Sequence, residues 1–150
     1  PDDDRLEVVA GDGAAFVADT ARRFDTLMID AFGPTGVADE LLERDFYNNA
    51  RKCLSAKGIL IMNIAGAKAV YAPHVARLAE AFDDQLVAVS IRADGNYVLF
   101  AFNEAGFEPR WRWIHGLAPV LELRLGLPYR ELARELERGQ VLRLAQRLRT

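Results

Sequence analysis

Two acidic side chains stand where a chain of this pattern can do chemistry. Asp12 lies between Gly11 and Gly13 directly after an apolar stretch, and Asp30 directly follows the run Thr26-Leu-Met-Ile29. In open α/β sheets the ends of strands that point toward such loops are where ligands gather. The glycines around Asp12 permit a sharp turn and the close approach of a flat ligand. The Asp12 carboxylate can accept hydrogen bonds from an amino group such as the exocyclic amine of adenine. The alternative use of Asp12 is to cap a helix beginning near Ala14, and one side chain can do both. Asp30 opens a loop of Ala31, Phe32, Gly33, Pro34, Thr35 and Gly36, of the kind that closes over a substrate and excludes water. A carboxylate there can take a proton from an amine nucleophile or orient a cation, or it can simply form the turn.

The elements that must position these acids alternate between strand and helix. Arg5–Ala10 reads as a strand stopped by Gly11-Asp12-Gly13, and Ala14–Arg23 as a helix with Phe16, Val17 and Ala21 at helical spacing. Thr26–Ile29 is a continuous apolar run, expected to be a strand buried on both faces. Asp39–Ser55 reads as an amphipathic helix closed by Lys57-Gly58, and Gly58–Ile64 as a further buried strand. Ala67–Phe82 is a helix with a kink or late start at Pro73. Gln85–Arg92 and Tyr97–Asn103 form an antiparallel hairpin through Asp94-Gly95-Asn96. The order β-α-β-α-β-α-β-β defines an α/β class, a mostly parallel sheet with helices on both faces, ending in that hairpin. Residues 1–109 make this body. Residues 110–150 form an Arg-rich helical extension, divided at Pro119 and Leu127-Pro128 into about three short helices. Trp111, Trp113 and Leu117 are placed to anchor the first of them.

Composition narrows the function. At 51% hydrophobic and 27% charged residues the chain is of ordinary globular type. It shows no apolar run long enough for a bilayer and no signal-peptide pattern. One cysteine, Cys53, excludes an internal disulfide framework, and with only His74 and His115 there is little for a metal centre, so none is expected. A reducing, cytoplasmic setting follows. Residues 1–109 carry 10 basic against 18 acidic side chains, and residues 110–150 carry 9 arginines against 4 glutamates. In the extension Arg130, Arg134 and Arg138 interleave with Glu131, Glu135 and Glu137, as on a solvated helix face. The acidic body repels phosphate backbones, so nucleic acid is not an expected partner. Ser55 and Ser90 lack a nucleophile-elbow context. Cys53 reads as a small core residue, His74 as a surface or boundary residue, and His115 as interfacial. Tyr97 and Phe100 read as packing, and Tyr47 as core or as a face of the loop after Asp30.

Four segments in order carry a resemblance: Arg5-Leu-Glu-Val-Val-Ala-Gly-Asp-Gly13, Phe24-Asp25-Thr-Leu-Met-Ile-Asp30, Asp45-Phe-Tyr47 and Leu54-Ser-Ala-Lys-Gly-Ile-Leu60. Together they resemble the C-terminal half of a polyamine aminopropyltransferase, of the spermidine synthase family, over residues 4–103. The resemblance implies the Rossmann-like fold of S-adenosylmethionine methyltransferases, lacking here its first two strands. It implies that Asp12, with Gly11, Gly13 and Ala31 around it, holds the adenosyl co-substrate. Asp30 would deprotonate the attacking amine at the start of a gate loop that includes Phe32, Gly33 and Pro34, with Tyr47 and Asn63 beside it. The implied reaction moves an aminopropyl group from decarboxylated S-adenosylmethionine to putrescine or a similar small amine, without a metal.

The chain departs from the family pattern at three places. Gly33 stands where the family has a second acid before proline, which removes a partner for the far ammonium of a diamine. Asn63 stands near a strand end where the family often has Gln. No Gly-x-Gly turn precedes Asp12, so the cofactor turn lies upstream of these residues or comes from a partner chain. The alternatives are a methyltransferase using S-adenosylmethionine and a non-catalytic relative serving as a subunit. A homodimer through the open sheet edge is the expected assembly.

Overall fold

The apolar run around Met28 and the run around Leu60 find each other as neighbouring parallel strands, and the rest of the sheet is built out from that pair. The computed structural model describes residues 5–30, 32–33, 36–37, 44–64, 68–91 and 96–138. In chain order the elements are α1 (Gly13–Asp19), β1 (Phe24–Ile29), β2 (Phe32–Gly33), β3 (Gly36–Val37), α2 (Arg44–Lys52), β4 (Leu54–Ile64), α3 (Lys68–Ala81), β5 (Leu86–Ile91), β6 (Asn96–Phe102), α4 (Trp111–Leu125) and α5 (Tyr129–Arg138). The main sheet has the order β1-β4-β6-β5, and β2 and β3 form a separate two-stranded hairpin. β1 is parallel to β4, while β6 is antiparallel to both β4 and β5. Three strands therefore share one direction and β6 alone is reversed, which is the mostly parallel sheet ending in an antiparallel hairpin that the sequence leads one to expect.

β4 alternates cleanly: Leu60, Met62 and Ile64 are buried while Ile59, Ile61 and Asn63 are half-buried. The buried set joins Tyr47 and Ala50 of α2, Val75 and Leu78 of α3, Leu86 of β5 and Leu99 of β6 in one core. The opposite face is covered only in part. Val87 and Val89 of β5 are buried outside that core, where α5 packs on β5. At the other end of the sheet Met28 is 74% exposed.

Several sequence expectations are corrected. Arg5–Ala10 forms no strand. Among the described residues no strand lies beside it to form a ladder, and Leu6, Val8 and Val9 are exposed. Thr26–Ile29 is not buried on both faces, because β1 is an edge strand of the described sheet with an open second face. α1 ends at Asp19, since Thr20 turns to an extended conformation and its Oγ1 accepts the backbone N–H of Arg22 at 3.2 Å. The Asp39–Ser55 helix stops earlier, at Lys52, and β4 begins at Leu54 rather than Gly58. Its expected start lies outside the described residues, as does most of the turn between β5 and β6. α3 spans Pro73 from Lys68 onward. Pro119 likewise lies inside α4 and does not divide it: the ring removes one N–H, and the helix continues to an αL cap at Gly126, whose N–H donates to the Glu122 carbonyl. Trp113 is exposed rather than an anchor; the extension meets the body through α5 on β5, and within the extension His115 Nε2 of α4 lies 2.7 Å from Glu137 of α5.

The early start of β4 creates a wide bulge. Phe24 pairs with Leu54 but Thr26 pairs with Ile59, so a step of two residues on β1 spans five on β4. The bulge is clamped from both sides. Ser55 Oγ donates to Asp25 at 2.7 Å, and Asn103 Nδ2 donates to the Ser55 carbonyl at 2.9 Å. Arg51 Nε donates in turn to Asn103, and its Nη1 to the Ala81 carbonyl and the Asp83 carboxylate. Gly58 sits at the narrowest point, where a Cβ would lie 2.9 Å from both the Phe24 carbonyl oxygen and Leu54 Cβ. One of those neighbours is backbone and cannot rotate away. Gly58→Ala is therefore expected to cost about 1–3 kcal/mol of stability, read as a lowered denaturation midpoint with an unchanged slope.

Candidate functional site

The parallel register of β1 on β4 sets Ile29 opposite Met62, and so delivers the next residue of each strand to one place. There Asn63 Nδ2 donates to Asp30 Oδ1 at 3.2 Å. Asp30 is exposed and Asn63 half-buried. The two side chains stand at the carboxyl ends of neighbouring parallel strands, the position at which α/β sheets present ligand-binding groups. Asn63 holds one carboxylate oxygen, and among the described residues none is bonded to the other. Directly after Asp30 the chain makes the β2–β3 hairpin, with Phe32 opposite Val37 and Gly33 opposite Gly36. The inner pair of that hairpin thus carries no side chain. Ala31 and Pro34 lie outside the described residues.

Asp12 does cap α1. Its Oδ1 accepts the N–H of Ala14 at 2.8 Å and of Ala15 at 3.4 Å, the arrangement that satisfies the orphan donors of a helix start. Among the described residues only Oδ1 is used in this way. With Gly11 and Gly13, Asp12 borders an open cleft of about 590 Å³, whose apolar wall includes Val9, Phe16 and Phe24 and whose rim carries Arg22. Asp30 is not among the described residues lining that cleft. The site residues therefore fall into two groups, Asp30 with Asn63, and Asp12 with its glycines.

Tyr47 takes the core alternative, and His74 is corrected from a surface or boundary position to a buried one. Neither lies at the surface: both are almost wholly buried, and Tyr47 Oη and His74 Nδ1 are 2.8 Å apart. Tyr47 Oη also lies 3.8 Å from Met62 Sδ. Burial pushes the Tyr47 hydroxyl well above the ordinary phenol range, opposed in part by the Arg77 charge. The link was invisible in sequence because it joins residues far apart in the chain. The one available signal was a polar ring, His74, in an otherwise apolar stretch of helix. Cys53 is buried as expected, its Sγ donating to the Ala50 carbonyl at 3.1 Å. Among the described residues no group of three His, Cys, Asp or Glu side chains is placed to hold a metal ion, and no helix is long and apolar enough to cross a membrane.

This geometry is that of an open α/β sheet with one acid, Asp30, at a strand end and another, Asp12, at a helix start, and solved structures of similar fold bear the class out. Human methyltransferase-like protein 13 in complex with SAH superposes with a TM-score of 0.66 at 22% identity, over 93% of this chain and 61% of that one. Spermidine synthase from Thermotoga maritima gives 0.62 at 20% identity, over 79% and 41%. The fold is thus the Rossmann-like methyltransferase type. More specifically, the chain belongs to the spermine/spermidine synthase family, whose domain model matches residues 1–95. It is similar to the polyamine aminopropyltransferase of Chromobacterium violaceum, at 27% identity over 89% of this chain and 51% of that protein. Polyamine aminopropyltransferase 1 of Pseudomonas aeruginosa is 43% identical over 60 residues, 40% of this chain and 21% of that protein. The chain spans about half the length of the first two curated relatives it matches.

Burial also raises the pKa of the Cys53 thiol, against smaller opposing effects of its backbone hydrogen bond and of Arg23. The folded thiol keeps its proton to higher pH than the unfolded one. Its contribution to stability is therefore present below the ordinary thiol pKa of about 8.5 and is lost as pH rises above it. Thiol titration with a disulfide reagent at pH 8 should run at least about tenfold slower in the folded protein than in denaturant.

Proposed function

We propose that the protein is an aminopropyltransferase that moves an aminopropyl group from decarboxylated S-adenosylmethionine to a polyamine such as putrescine. The observation that carries this reading is the Asp30–Asn63 contact at the ends of two parallel strands, in a chain of the spermine/spermidine synthase family. Relatives of the same fold have been solved with SAH and with the transition-state analogue AdoDATO, which supports an adenosyl co-substrate.

In this reading Asp30 serves the acceptor. An alkyl ammonium with a pKa near ~10 has no lone pair at neutral pH, so its proton must be removed before it attacks. Asp30 takes that proton. The freed nitrogen attacks the methylene next to the sulfonium in line: the C–N bond forms, the C–S bond breaks, and its electron pair leaves on sulfur as a neutral thioether. Most of the rate comes from holding the two reactants in that line. Asn63 holds the carboxylate in one orientation while this happens. The unused oxygen of Asp12 accepts from the adenine amino group, Gly11, Gly13 and Ala31 let the nucleoside lie close, and Phe32, Gly33 and Pro34 belong to the loop over the acceptor. Residues 1–109 form the transferase part and residues 110–150 an extension to it. The protein works in the cytoplasm as a homodimer, with neither nucleic acid nor membrane as partner. The buried single thiol, the acidic body and the open β1 edge support those assignments. A second reading, methyl transfer from S-adenosylmethionine, is favoured by one feature. Gly33, paired with Gly36, offers no charge to the far ammonium of a diamine.

Turnover by the full-length protein with each donor separates the two readings. With the decarboxylated donor and putrescine, Asp30→Asn should lower kcat/KM by about 10²–10⁴-fold while leaving the fold intact, since asparagine still accepts from Asn63. Undiminished transfer by that variant would remove Asp30 from the reaction, and turnover with S-adenosylmethionine alone would favour methyl transfer. Asp12→Asn keeps a capping oxygen but turns an amide N–H toward the nucleoside. It should weaken methylthioadenosine binding about tenfold by calorimetry, with stability changed by less than about 1 kcal/mol.

A further inference from the structure

We infer that Tyr47 and His74 act as a positioning pair for Asp30 and Asn63, an inference that rests on the aminopropyltransferase reading. The two site residues are held by neighbouring strands, and each strand is followed in the chain by a helix: β1 by the β2–β3 hairpin and α2, β4 by α3. Tyr47 belongs to α2 and His74 to α3, so their 2.8 Å hydrogen bond ties together the two helices that follow the two site strands. The ring planes meet edge to face, at 79°. The same hydroxyl touches Sδ of Met62, the residue before Asn63. Met62 and Asn63 point to opposite faces of β4, one into the core and one to the site, so a shift of Met62 moves Asn63 with it. Asn63 in turn orients the Asp30 carboxylate.

A buried polar pair is a poor choice for stability alone. Removing one partner leaves the other short of a buried hydrogen bond, a cost that replacing both by apolar groups of similar shape avoids. What the pair supplies is direction: a single preferred separation and angle between α2 and α3, which apolar contacts do not impose. Sub-ångström looseness beneath the strand ends would be felt where the reaction depends on alignment.

This argument separates positioning from plain packing. In the full-length protein, the double variant Tyr47→Phe/His74→Leu should retain a thermal midpoint within a few degrees of wild type and an unchanged KM for the adenosyl donor. Its kcat for aminopropyl transfer should fall at least about tenfold. The side-chain amide resonances of Asn63, assigned by their loss in Asn63→Asp, should shift or broaden in the double variant. Unchanged kcat together with unmoved Asn63 resonances overturns the proposal. Should the double variant unfold, Tyr47→Phe alone decides by the same two readouts. If wild type transfers no aminopropyl group, the functional reading fails, and the Asn63 resonances still decide whether the pair sets that side chain.

Discussion

Everything at the candidate site depends on one register, that of β1 against β4. Side chains alternate faces along a strand, so a slip of one residue would turn Asn63 into the core and bring Met62 to Asp30. The register is not set by the apolar residues alone, because Leu27, Met28 and Ile29 offer little to distinguish neighbouring alignments. It is fixed at the far end of the strands by the bulge between Leu54 and Ile59. Gly58 lets the chain pass there, and the Arg51–Asn103–Ser55–Asp25 network holds it. The chemistry at one end of the sheet is thus referenced to a polar clamp at the other. A clamp of this kind is more specific than an apolar contact, since each donor meets one acceptor at one distance.

The runs that become β1, β4, β5 and β6, and the strand-end places of Asp30 and Asn63, were legible because they follow from local pattern, whereas the order of the strands across the sheet was not. A short apolar run bounded by Gly, Pro and Asp reads as a strand wherever it occurs, and a polar residue at its end reads as a strand-end group. What could not be read was burial, which belongs to neighbours rather than to the run itself. Thr26–Ile29 has the composition of a strand covered on both faces, yet Met28 is exposed because no described element lies over it. Arg5–Ala10 has strand composition and no strand, because a ladder needs a second chain segment. The helix ends failed for a different reason. Gly58 looked like a stop signal for the helix before it, but it serves the bulge, and the helix ends where the Cys53 carbonyl is taken by the Phe24 N–H at 2.9 Å. Pro119 was read as a breaker, although a helix held by a packed partner survives the loss of one hydrogen bond. The Tyr47–His74 bond was beyond reach of any periodicity argument, since periodicity assigns faces and not partners.

The two acids differ in how firmly the described fold holds them. Asp30 sits at the end of a hydrogen-bonded strand and is gripped by Asn63, so its position is set by the sheet. Asp12 precedes a helix of seven residues, anchored mainly through Val17 in the core and by Phe16 against Phe24 at 6.1 Å. The described residues before Asp12, 5–11, join no ladder. A helix that short has little stability of its own, and what keeps it is the cap and the buried valine. Asp12 is therefore asked to stabilise α1 and to present its second oxygen outward, and the two demands reinforce each other. The cap fixes the side-chain rotamer, which aims the free oxygen. A ligand accepting that geometry in turn stabilises the helix start. On the proposed reading, a nucleoside at Asp12 would steady the start of α1, whereas the Asp30–Asn63 contact is set by the sheet itself.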